Sequence, residues 1–222
     1  MSDLELTALW MAILAVGLGA CVTVRALGLA TTYVRDLLHV GAGVWILGWT
    51  SWDHALAPAA ITTAAMLAVI AVPVVAPHLG PAARLRDAVS DGDELWDGLI
   101  VYAAAYAALT GLGLTGARFP AAAGLLALSL GDGLGGAVGR RFGRHRYQAP
   151  WGKSKSLEGS AAVAVAAGAG VVLAAHLFDH PIGAALVVAL GALAAVVEAV
   201  APRSTDNLLV PAAVWAGASL LA

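Results

Sequence analysis

The sequence predicts an all-α protein, a polytopic bundle of about eight transmembrane helices built as one domain over residues 1–222. Three observations lead to that class. First, 60% of the residues are apolar and 12% charged, with a mean hydropathy of +0.85. A soluble domain of this length needs a larger polar shell. Second, the chain divides into apolar stretches near the ~20 residues that a helix needs to cross a bilayer. Third, those stretches lack the alternating polar positions of a barrel strand.

In chain order, the first stretch is Leu6–Val24. It follows Met1-Ser2-Asp3-Leu4-Glu5, acidic where a signal peptide is basic, so this span is expected to be retained. Cys21, the only cysteine, excludes an internal disulfide and a cysteine zinc cluster, and reads as a packing residue. The second stretch, Leu37–Trp52, is short and is introduced by Arg35 and Asp36, with His39 about one turn along. The third is Ala55–Ala76. The connection after it, Pro77 to Glu94, mixes Arg84 and Arg86 with Asp87, Asp91, Asp93 and Glu94 and reads as a solvated amphipathic linker. Leu95–Leu114 and Ala121–Gly139 follow, then a basic connection over residues 140–156, then Leu157–Leu177. Ile182–Ala201 carries Glu198 inside an apolar run, and a polar turn leads to Leu208–Ala222, again short for a span.

A net charge of −2 excludes the broad cationic surface of a nucleic-acid binder. The sign distribution is more informative. Eleven of the twelve Lys and Arg residues fall in the odd-numbered connections, and only Arg118 lies on the other side. The positive-inside rule then predicts a multi-pass protein of the cell membrane with a cytoplasmic basic loop and both termini outside.

The segment from Ser129 to Ser160 carries the chemistry. Gly131, Gly135 and Gly139 recur on one helix face, the spacing that lets a neighbouring helix approach closely. On the adjacent stripe lies Asp132, about 10 Å inside the cytoplasmic helix end at ~1.5 Å rise per residue. An ionised carboxylate there costs at least ~2.5 kcal/mol unless a metal ion, a basic side chain or water compensates it. The structural alternative is a salt bridge to Arg140 or Arg141 that locks two helices. The loop that follows supplies Arg140, Arg141, Arg144, Lys153 and Lys155, groups suited to the oxygens of a polyphosphate. A simple topology signal would also be basic. The next helix begins near Ser156, where free N–H groups favour an anion. Glu158 reads either as a second metal carboxylate or as the acidic residue that a first helical turn favours. His39 reads as a packing residue or a proton acceptor. Glu198 with Asp206 and Asn207 forms a candidate Mg²⁺ ligand cluster, although residues 204–207 also suit helix capping.

These motifs resemble those of the polyprenol kinases, a family that includes phytol kinase, dolichol kinase and a CTP-dependent diacylglycerol kinase. The resemblance rests on Gly131-Asp132-Gly133, on Gly139-Arg140-Arg141-Phe142-Gly143-Arg144-His145, and on Lys155-Ser156-Leu157-Glu158-Gly159-Ser160. Arg35 and His39 resemble the family's Arg-Lys-x-x-His element, with Asp36 where lysine is usual. Glu198 with Asp206-Asn207-Leu208 and Val210-Pro211 resembles its C-terminal element. The CTP:phosphatidate cytidylyltransferases share the central block, but their C-terminal His-Gly-Gly and Asp-Arg-x-Asp are missing here.

The resemblance implies phosphoryl transfer from CTP, or another nucleoside triphosphate, to the hydroxyl of a long-chain lipid alcohol at the bilayer. It implies Mg²⁺ at Asp132, with Glu158, Glu198, Asp206 and Asn207 as further ligands. Gly131, Arg140, Arg141, Arg144, Lys153, Lys155, Ser156, Glu158 and Gly159 would form the nucleotide site. His39 or Asp206 would accept the hydroxyl proton. The competing expectations are a cytidylyltransferase and a non-enzymatic transporter or lipid-binding protein. The sequence carries no code for tail length or oligomeric state.

Overall fold

A computed structural model describes residues 1–76, 78–90 and 93–221. Nearly all of them are helical, and the only sheet among them is a two-stranded hairpin. The helices are α1 (Asp3–Ala26), α2 (Thr31–Ala42), α3 (Leu56–Val75), α4 (Gly80–Val89), α5 (Asp93–Leu114), α6 (Arg118–Phe142), α7 (Leu157–Leu177), α8 (Ala184–Val200) and α9 (Asp206–Leu221). Within α1, α3, α5, α6 and α7 lie segments long and apolar enough to cross a membrane. Helices α8 and α9 are shorter and also apolar, about 25 Å each at ~1.5 Å per residue. The chain is an integral membrane protein.

Local signals explain where these helices begin and end. Ser2 and Glu5 form a reciprocal capping box at the start of α1. Helix α6 runs three residues beyond the expected Gly139 end, with Arg140 and Arg141 in its last turn, where cations complement the helix dipole. The Ser156 hydroxyl accepts from the Gly159 N–H at 3.1 Å and so caps α7.

Two expectations need correction. The second apolar stretch is not one α-helix: α2 starts at Thr31, six residues before the expected Leu37, and passes at Gly43 into a 3-10 helix, Gly43–Ser51. Trp45, Ile46 and Trp49 of that segment are buried in the core. The connection read as a solvated linker contains α4. Ala88 and Val89 of that helix are buried in a secondary core with Cys21, Val34, Trp96 and Leu99. Asp91 lies outside the described residues.

Helix α6 is the centre of the bundle. Residues 121–129 are buried without interruption, and α7, α9, α2 and α5 pack around it. Small residues set these distances. A Cβ added at Gly159 would come within 3.1 Å of the Gly139 Cα, and one added at Gly131 would rest 3.5 Å from Ala167. The glycine face of α6 therefore meets α7, as its spacing predicts. Such contacts hold helices together in lipid, where dispersion replaces the hydrophobic effect between helices.

Candidate active site

The end of the bundle that carries the basic connection encloses a cavity of about 590 Å³. Helix α2 contributes Thr32, Arg35, Asp36 and His39, residues one helical face presents at spacings of three and four. Helix α6 contributes Asp132, Gly136 and Arg140, and α7 contributes Gly159, Ser160 and Val163. Glu198 near the end of α8 and Asp206 and Asn207 at the start of α9 close the opposite wall. Residues far apart in sequence, which the motif analysis linked only by resemblance, thus face one space.

The basic connection is not an irregular loop. Arg146–Gln148 (β1) pairs antiparallel with Ser154–Ser156 (β2), placing Tyr147 opposite Lys155. The chain turns through Trp151 and Gly152, both with positive φ, at 66° and 74°. Glycine adopts that conformation without strain, whereas tryptophan there is uncommon. Trp151 is anchored by its indole N–H, which donates to the Val200 carbonyl at 3.1 Å. The hairpin is thereby pinned to the end of α8. Lys153, Ser154, Lys155 and Arg146 line the cavity from it.

Charge pairing across the cavity is specific. His39 Nδ1 lies 2.7 Å from Asp132 Oδ2, close enough for an ion pair though misaligned for a hydrogen bond. The His39 side chain is 3% exposed, while a third of the Asp132 side chain remains open. The imidazole stacks on Tyr102 of α5 at 4.2 Å, and the Tyr102 hydroxyl donates to the His39 carbonyl at 3.1 Å. Tyr102 also approaches Ser129, one turn before Asp132, at 3.3 Å. Arg140 pairs with Asp36, Lys155 with Glu198, and Lys153 with Asp206 at 3.5 Å.

The pairing overturns one alternative. Asp132 is not neutralised by Arg140 or Arg141 as a simple helix lock: Arg140 belongs to Asp36, and Asp132 faces His39. It also accounts for aspartate at position 36, which staples α2 to α6 by taking the charge of Arg140.

Other expected residues fall elsewhere. Glu158 does not line the cavity; its carboxylate accepts from the backbone N–H groups of Arg144 and His145 and contacts His145 Nδ1 at 2.6 Å. It organises the bend into the hairpin. Arg141 and Arg144 are exposed and also lie outside the cavity wall. Gly131 packs on α7. Asn207 lines the cavity, but its side-chain amide donates to the Gly98 carbonyl at 2.9 Å. Thr32, Asp36, Arg146 and Ser160 were not singled out as site residues. The signal available for the first two was the three-to-four spacing from Thr32 to His39.

Asp132, Glu198 and Asp206 all line the cavity. Among the described residues no group of three His, Cys, Asp or Glu side chains forms a preformed metal cage. Asp206, however, lies within electrostatic reach of both Asp132 and Glu198. One or two carboxylates completed by phosphate oxygens and water is the usual coordination of Mg²⁺.

Comparison with known proteins agrees with the motifs. Neither a family model nor a solved structure matches the chain. Among curated proteins, phytol kinase from Synechocystis sp. is 32% identical over 201 residues, covering 84% of this chain and 79% of that protein. Identity at that level, over so much of both proteins, places the chain in the phytol kinase family.

Proposed function

We propose that the protein is a lipid alcohol kinase that transfers the terminal phosphoryl group of CTP, or of another nucleoside triphosphate, to the hydroxyl of an isoprenoid alcohol. The observation that carries this reading is the cavity itself. It sets lysines and arginines beside carboxylates at the end of a membrane bundle, and its relative is a phytol kinase. Phosphoryl transfer asks a protein for positioning and charge more than for covalent chemistry.

Lys153 and Lys155 exchange Asp206 and Glu198 for phosphate oxygens when the triphosphate enters. Each exchange keeps the lysine paired and frees a carboxylate. Asp132 and Glu198 would then hold Mg²⁺, which neutralises charge on the phosphates when bound. Asp206, released from Lys153, accepts the proton of the lipid hydroxyl at its carboxylate, a role that aspartate fills in protein kinases. His39 is a poorer acceptor, because it is buried and its ring is stacked on Tyr102. Its role is to hold Asp132 Oδ2 so that the other oxygen faces the cavity. The hydroxyl oxygen forms a bond to the terminal phosphorus, and the bond to the bridging oxygen breaks. The nucleoside diphosphate leaves with that electron pair.

Incubating purified protein with Mg²⁺, CTP or ATP and a panel of lipid alcohols tests the reading. The expected products are the nucleoside diphosphate and a phosphorylated alcohol. Pyrophosphate with a CDP-lipid would identify a cytidylyltransferase instead. Absence of turnover with every pair would leave a binding or transport protein.

A further inference from the structure

The cations around the cavity are not equivalent. Arg140, Lys153 and Lys155 each face a carboxylate, and Arg146 is exposed. Arg35 differs from all four. It is half-buried on the α2 face that carries His39 one turn later, and it lies within electrostatic reach of Asp132. Among the described residues it takes part in no ion pair, and its Nε is buried without a hydrogen-bond partner. A guanidinium cannot shed its proton to relieve that situation. A buried donor left unsatisfied is costly, so its retention calls for a use.

The surrounding backbone leaves room for the group. Gly98 of α5 faces it, and a Cβ at that position would meet an Arg35 terminal nitrogen at 3.5 Å and the Ser204 hydroxyl at 3.2 Å. Gly98 thus lies beside the guanidinium, and Arg35 lines the cavity together with Asp132 and His39.

We infer that Arg35 is a catalytic residue that grips the phosphoryl group during its transfer. The inference rests on the kinase reading above. The lysines have to leave carboxylates to meet the nucleotide, so part of their attraction is offset. Arg35, within electrostatic reach of Asp132 but in no ion pair with it, has no such contact to break and lines the same cavity. As the hydroxyl oxygen closes on the terminal phosphorus and the bridging bond lengthens, charge spreads over the three equatorial oxygens. A planar guanidinium fork matches two of them. Arg35 gains and loses no proton in the step; the hydroxyl proton goes to Asp206 and the electron pair of the broken bond to the diphosphate.

The experiment compares wild type, Arg35→Ala, Arg35→Lys and Lys155→Ala in two assays. One is equilibrium binding of radiolabelled CTP with Mg²⁺ in the absence of alcohol. The other is turnover with both substrates saturating, with and without millimolar guanidinium. Arg35→Ala is expected to lower kcat roughly 100- to 1000-fold while changing the Kd for CTP less than about threefold, the signature of an interaction made only in the transition state. Guanidinium should restore part of the turnover of Arg35→Ala and none of that of Arg35→Lys. Lys155→Ala should show the opposite split, with weakened binding. Near wild-type turnover in Arg35→Ala overturns the inference. So does a loss of CTP binding that matches the loss of kcat, or a lack of rescue by guanidinium. The wild-type arm separates the two readings: if it yields no phosphorylated alcohol the kinase reading falls, and if it does while Arg35→Ala is active only the role of Arg35 falls.

Discussion

Asp132 illustrates how a single residue can be placed by sequence while its partner cannot. Its depth in an apolar helix and its flanking glycines mark it as a group that needs compensation. Sequence proximity offered Arg140 and Arg141, one side of the same helix; the structure offers His39, ninety-three positions earlier on α2. Asp132→Asn keeps the shape and removes the charge. It is expected to leave the protein folded in detergent and to lower activity at least ~100-fold, the scale at which a lost transition-state interaction is recognised. Size-exclusion chromatography with turnover at saturating Mg²⁺ checks both halves. Loss of folding together with activity would point to a structural role. The lysines are judged separately. A hydrogen bond from a charged group is worth ~1.5–3 kcal/mol, so Lys153→Ala and Lys155→Ala should each cost roughly ten- to hundredfold in kcat/KM for the nucleotide. Arg118→Ala, far from the cavity at the start of α6, serves as the control and should cost nothing. Losses below about twofold at both lysines would make the basic hairpin a topology signal alone.

At the scale of elements, the long apolar runs were legible. The sixth expected stretch, Leu157–Leu177, coincides with α7, and Ala55–Ala76 differs from α3 by one residue at each end. Composition dominates such runs, and one face of glycines is enough to predict the close contact of α6 with α7. The hairpin was not legible, because strands of three residues are too short to show alternation and the turn depends on a tryptophan with positive φ. Nor was the 3-10 winding of Gly43–Ser51, an apolar run whose composition suits an α-helix equally well. The α6–α7 contact gives a prediction of its own. Gly159→Val places a branched side chain against the Gly139 backbone and is expected to destabilise the bundle by about 1–3 kcal/mol, as overpacking does. Gly111→Ala, where an added Cβ meets nothing within 4 Å, should be neutral or slightly stabilising. Thermal unfolding in detergent distinguishes them, and equal melting temperatures would contradict the packing described here.

For the whole molecule, the fold class followed from composition because lipid replaces water as the solvent for most of the surface. The site followed only in part, since pairings such as Arg140 with Asp36 join residues more than a hundred positions apart. Orientation is an expectation with a direct check. A cysteine introduced at Gln148 in a Cys21→Ala background should react with a membrane-impermeant maleimide only from the cytoplasmic side. Reaction from the outside alone would remove the site from cytosolic nucleotide.

The central claim, that the cavity moves a phosphoryl group onto a lipid alcohol, is tested most directly by following the label. Purified protein receives CTP labelled either at the α- or at the γ-phosphorus, with Mg²⁺ and phytol, geranylgeraniol or farnesol, and the lipid phase is extracted. The account predicts label in the lipid phase from γ-labelled CTP and none from α-labelled CTP, with CDP left in the water. Label carried into lipid from α-labelled CTP, with pyrophosphate released, would contradict it.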